Sequence, residues 1–67
     1  MEIAKKIGKN IKILRKQKRI TQTEIAKMLN MTQQQYSRFE TGIFEFNYTQ
    51  ILGICRILEI TPNDIFE

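Results

Sequence analysis

Sixty-seven residues, 27% of them charged, suffice for one small domain over 1–67, and a chain of this size buries only about 60% of the surface it exposes when unfolded. A lone cysteine, Cys55, excludes an internal disulfide framework, and the absence of histidine leaves too few ligands for a structural zinc site or a histidine-based catalytic centre. The net charge of +4 is unevenly spread: residues 1–20 hold eight basic side chains against Glu2, a net of +7, whereas residues 21–67 net −3.

In chain order, Ile3, Ile7, Ile11 and Leu14 recur at spacings of four, four and three. This predicts an amphipathic helix over 2–18 with those residues on its core face and most lysines off it. The basic face suits a polyanion, and on this feature alone nucleic acid, an anionic membrane surface and simple solvation all stay open. Thr21 with Glu24, Thr32 with Gln35, and Asn47 with Gln50 each place a capping residue three before an acid or amide. Such pairs satisfy orphan N–H groups at a helix start, so they predict helices over 22–29, 33–40 and 48–58. Thr61, Pro62 and Asp64 announce a fifth over 62–66, with proline at the first helical position, where its missing N–H costs nothing. Gly42 is a natural stop for the third helix, and 43–46 form the loop after it. The expected fold is all-α, without strand or internal repeat.

Only "LNMT" separates the second and third helices, and Asn30 tolerates the left-handed backbone that a tight connection needs. That is a helix-turn-helix connection. Ile25, Ala26 and Leu29 are expected to face inward from the second helix, and Tyr36 with Phe39 from the third. At about 100° per residue, Gln33, Gln34, Ser37 and Arg38 then share the outward face. Gln35 serves the cap, which leaves Gln33 and Gln34 to point away from the protein. A glutamine amide can pair with adenine N6 and N7 in the major groove, and an arginine fork with guanine O6 and N7. Glutamines also simply solubilise exposed helices; their position on a helix-turn-helix favours recognition.

The stretch "ITQTEIAKMLNMTQQQYSRFETG" resembles the helix-turn-helix core of the Cro and lambda-repressor type of DNA-binding domain, and "NYTQILGICRILEITPNDIF" extends the resemblance through the last two helices. It implies a compact five-helix lambda-repressor-like domain that places its third helix in the major groove. It also implies that Gln22 meets a phosphate, that Thr32, Gln33, Gln34 and Arg38 touch backbone or base edges with Ser37 beside them, and that Arg15 and Glu40 form a buried or half-buried ion pair tying the first helix to the third. Lys18 and Arg19, just before the second helix, are the expected electrostatic contacts among the basic residues. The chain departs from the family in "GIFEFN", where relatives often carry basic residues; its aromatics are expected to complete the core or a dimer contact. Cys55, standing where alanine is common, is expected to be a packed small residue.

The expectation is a cytoplasmic transcriptional regulator, most readily a repressor, that binds double-stranded DNA as a homodimer on a pseudo-palindromic operator. Residues 60–67 and 43–46 are its expected contact surface. No nucleophile–base pair, metal cluster or phosphate loop points to an enzyme, and no cofactor is implied. No apolar run approaches the roughly 18 residues of a membrane span. A membrane partner would need Ile3, Ile7, Ile11 and Leu14 to face lipid, leaving so small a domain little to bury. The alternative is a protein-interaction module on the same fold, such as an antitoxin or adaptor with a partner protein.

Overall fold

The computed structural model describes residues 2–67 and shows five helices: α1 (Glu2–Gln17), α2 (Gln22–Met28), α3 (Gln33–Glu40), α4 (Tyr48–Leu58) and α5 (Pro62–Phe66). Residue 1 of the expected domain span lies outside the described residues. No strand occurs among the described residues, and none of their helices is long and apolar enough to cross a membrane.

Each of α2 to α5 begins with a reciprocal capping box. At α3, for instance, Gln35 N–H donates to Thr32 Oγ1 at 3.1 Å and Thr32 N–H donates to Gln35 Oε1 at 3.0 Å. Such a cap stabilises a helix by about 1 kcal/mol, and short helices like α2 and α3 cannot rely on propensity alone. In the connection after α2, Asn30 adopts φ 59°, and Met31 N–H returns to Ala26 C=O at 2.8 Å. The turn is thereby closed on the helix it leaves.

The centre of the core is formed by Ile11, Ile25, Tyr36, Ile54, Leu58 and Ile65, none with appreciable solvent exposure. Helix α1 packs against α3 and α5, and α2 against α3 and α4. Asn10 Nδ2 donates to the Ile65 carbonyl at 2.8 Å, tying the middle of α1 to the end of α5. Cys55 is buried in this core, and that burial, followed by the charge of Asp64, raises its thiol pKa and keeps it protonated.

One expectation needs correction and two are narrowed. Ile3 is not on the core face but 63% exposed; the buried face of α1 runs through Ala4, Gly8, Ile11 and Arg15. At Gly8 on this face α1 approaches α3 too closely for any side chain: a Cβ there would lie 2.8 Å from the Glu40 carbonyl carbon and 2.9 Å from the Phe39 oxygen. Ile65 in the 60–67 segment is wholly buried, so it serves the core and cannot also serve a contact surface. The 43–46 loop divides: Phe46 stacks on Phe39 with centroids 5.0 Å apart, whereas Ile43 and Phe44 remain exposed.

Candidate nucleic-acid interface

The helix-turn-helix is held by its inner face. Ile25 and Ala26 of α2 and Tyr36 of α3 are fully or almost fully buried, which fixes how α3 is rotated about its axis. Gln33, Gln34 and Arg38 are consequently exposed on the outside of α3, with the α3 cap residue Thr32 exposed ahead of them. Ser37 is half-buried, less open than the outward stripe predicts. Lys18 and Arg19 are exposed between α1 and α2, where Arg19 turns the chain with a left-handed φ of 59°.

Behind this row lies a buried charge pair. Arg15 Nε donates to Glu40 Oε2 at 2.7 Å and Arg15 Nη2 donates to Glu40 Oε1 at 3.2 Å, a two-pronged contact joining α1 to the end of α3. Arg15 Nη1 also donates to the Ile20 carbonyl at 2.6 Å, which holds the α1–α2 connection. Burial pushes the Glu40 pKa up, but the hydrogen bonds from its neighbours, Arg15 foremost, and the guanidinium charge outweigh it, so Glu40 stays ionised below the usual carboxylate range. The same hydrogen bond to Glu40 raises the Arg15 pKa against the opposing effect of burial. Tyr36, beside this pair, has its hydroxyl pKa raised by burial first and by Glu40 second. Its hydroxyl has no partner of good hydrogen-bond geometry among the described residues.

The pair reaches the outer surface through glutamines. Half-buried Gln22, the first residue of α2, donates from Nε2 to Glu40 Oε1 at 3.0 Å, and Gln33 Nε2 in turn donates to Gln22 Oε1 at 2.7 Å. Gln33 is therefore not free, as its place on the outward stripe suggests; Gln22 holds one of its amide N–H groups because the starts of α2 and α3 converge. Among the described residues, Gln34 has no such tether. The Glu40–Gln22 contact has no local sequence signature, since 18 residues separate the two.

This geometry, a short polar helix presented by a tight turn from a capped partner helix, has known counterparts. A family model described as Helix-turn-helix matches residues 11–65. The chain belongs to this family of DNA-binding transcriptional regulators, of the Cro and lambda-repressor type. It is also similar to a protein of Bacillus subtilis (strain 168) described as the uncharacterized HTH-type transcriptional regulator YqaE, with 36% identity over 54 residues. That match takes in 81% of the present chain but 47% of the relative, so the helix-turn-helix chain spans about half the length of the curated relative it matches. The family match begins at Ile11 and takes in the whole of α2, α3 and α4.

Proposed function

We propose that this helix-turn-helix protein reads duplex DNA as a homodimer, with α3 in the major groove, and represses transcription by occupying a pseudo-palindromic operator. The observation that carries the reading is the exposed row Gln33, Gln34 and Arg38 on a helix whose opposite side is locked by fully buried Tyr36. Gln33 and Gln34 supply paired donors and acceptors suited to adenine, and Arg38 a fork suited to guanine. Thr32, Ser37 and Gln22 flank the row and are assigned to the DNA backbone; Lys18 and Arg19 add sequence-independent attraction to phosphates.

Dimerisation is supported by an apolar surface away from this row. Tyr48, Leu52 and Phe66 are exposed around a cavity of about 230 Å³ whose floor includes Ala4, Ile7 and Ile51. Ile7 faces this floor and the core, which leaves α1 without the continuous apolar face a membrane surface requires.

Selection from random duplexes at near-physiological salt tests the reading. The expected result is an enriched inverted repeat with half-sites about one helical turn apart, with Gln34→Ala and Arg38→Ala each relaxing the preference at separate base pairs. Retention of DNA that is weak, salt-sensitive and without an enriched sequence would overturn it in favour of a protein-interaction module.

A further inference from the structure

The Arg38 carbonyl accepts three hydrogen bonds from the chain that follows it: the Thr41 hydroxyl donates at 3.2 Å, Ile43 N–H at 2.9 Å and Phe44 N–H at 3.3 Å. The loop after α3 is thereby folded back onto the residue that presents the arginine fork. Gly42, with φ 85°, permits that reversal. Behind it stands α1, because a Cβ at Gly42 would lie 2.7 Å from Lys5 Cα. With α1 filling the space on that side, the two apolar residues that follow Gly42 are kept out of the core. Phe44 rests edge-on against Phe39, with ring centroids 5.5 Å apart, and stays 44% exposed. Ile43 is 68% exposed. Neither residue lines the apolar cavity to which the dimer contact is assigned.

We infer that Ile43 is a base-reading residue: it covers the 5-methyl group of a pyrimidine in the base pair next to the one Arg38 reads, so that the protein prefers thymine there and senses methylation of a cytosine at the same place. This rests on the reading of α3 as the groove-facing helix. The 5-methyl group stands in the major groove and is matched by an apolar contact, not by a hydrogen bond. Thymine and 5-methylcytosine carry it; unmodified cytosine does not. The exposed row Gln33, Gln34 and Arg38 offers only polar side-chain ends, and Ile43 supplies the apolar element that the row lacks. Its backbone is bonded to Arg38, so the two side chains address neighbouring base pairs. Ile43 follows the C-terminal end of α3 and therefore lies on the side of Arg38 away from Gln34. A β-branched side chain has few rotamers to lose on contact. Burying it against a methyl group removes apolar surface of both partners from water.

Duplexes enriched by selection are the test material, with the thymine beside the Arg38 guanine replaced in one half-site by uracil, which lacks only the methyl group. The expected results are a T·A pair enriched beside that guanine and about 4-fold weaker binding of the uracil duplex, a factor equal to about 0.8 kcal/mol, the order of one buried methyl-sized group. A duplex with a C·G pair at this place is expected to bind about 4-fold more tightly once the cytosine is 5-methylated, although its hydrogen-bonding groups are unchanged. Ile43→Ala shortens an exposed side chain and is expected to keep the parent circular dichroism. In that variant both ratios fall toward one, while the guanine preference that Arg38→Ala abolishes is kept. Equal binding of thymine and uracil duplexes by the wild type overturns the inference. So does an Ile43→Ala protein that retains both ratios: if it binds every duplex more weakly, Ile43 belongs to the DNA backbone contact, and if it sediments as a monomer, to the contact between copies. Failure of the wild type to enrich any sequence overturns the underlying reading and the inference with it. An Arg38-dependent guanine preference beside a pair at which thymine and uracil bind alike overturns the inference alone.

Discussion

At the scale of single residues, the closest constraint is Gly8. Its missing side chain lets α1 rest on the backbone at the end of α3, where an added Cβ would press on the carbonyl groups of Phe39 and Glu40. Backbone cannot rotate away as a side chain can, so Gly8→Ala is expected to destabilise the protein by about 3 kcal/mol or more, checked by urea denaturation. The pair behind this contact also makes stability depend on pH. Glu40 is ionised at lower pH in the folded chain than in the unfolded one, so the unfolded state takes up a proton first as acid is added. Stability is then complete above the ordinary glutamate range and lost as the pH falls through that range toward the lowered pKa of Glu40. Denaturation midpoints measured from pH 7 to pH 3 are expected to fall on the acid side, and less steeply in Glu40→Gln. That variant starts from a lower plateau because Arg15 loses its charge partner, a loss of about 3–5 kcal/mol for a buried pair. Composition and spacing alone place Arg15 in a basic run with its solvated neighbours. Its partner lies 25 residues away, beyond the reach of any local pattern.

At the scale of elements, what the sequence made legible is what is local. Thr21, Thr32, Asn47 and Thr61 and their partners three residues on are capping boxes in the sequence and in the structure, and helix boundaries read from them agree with the observed ones to within a residue. Helix ends without glycine were less legible. Asn30 is a residue type that tolerates a left-handed backbone, but Arg19 and Glu59 adopt it too, with φ of 59° and 56°, and nothing in their chemistry announces it. They do so because the tertiary contacts on either side fix where the chain must turn. At Glu59, where α4 ends, Ile60 N–H bonds back to Cys55 C=O at 3.0 Å, and the chain must then enter the α5 cap at Thr61. A left-handed conformation costs a side-chain-bearing residue about 1–2 kcal/mol, against the smaller entropy loss that glycine incurs on folding. Glu59→Gly is therefore expected to stabilise the protein by about 0.5–1 kcal/mol, raising Tm by a few degrees. No rise in Tm would mean that contacts of the Glu59 side chain offset the backbone gain. The outward face of α3 was only half legible for the same reason. Helical periodicity places Gln33 outside, but the convergence of α2 on α3 decides that its amide is held by Gln22.

At the scale of the whole molecule, size argues for a second copy. Helix α3, with eight residues, is about 12 Å long and can read only a few base pairs. The body that presents it measures 25 × 23 × 20 Å. Two such bodies in contact across a two-fold axis can place their recognition helices about 34 Å apart, one turn of DNA, without a spacer. The apolar surface around the 230 Å³ cavity is the face best suited to that axis, because Leu52 at its edge is 38% exposed and Tyr48 is 78% exposed in the single chain. Leu52→Asp puts a charge where the folded single chain can still hydrate it but a paired one cannot. The variant is therefore expected to keep its helical circular dichroism, and to melt below the parent protein by the stability that dimerisation adds, a gap that widens as protein concentration rises. It is also expected to sediment as a monomer and to bind the full operator at least about 100-fold more weakly, since the second half-site then no longer binds as part of the same complex. Affinity for an isolated half-site should be unchanged, because Leu52 lies on α4 and the base-reading row on α3. A Leu52→Asp protein that still sediments as a dimer places the two-fold contact on another face, and a parent protein that is monomeric when bound to its operator removes the dimer from the proposal.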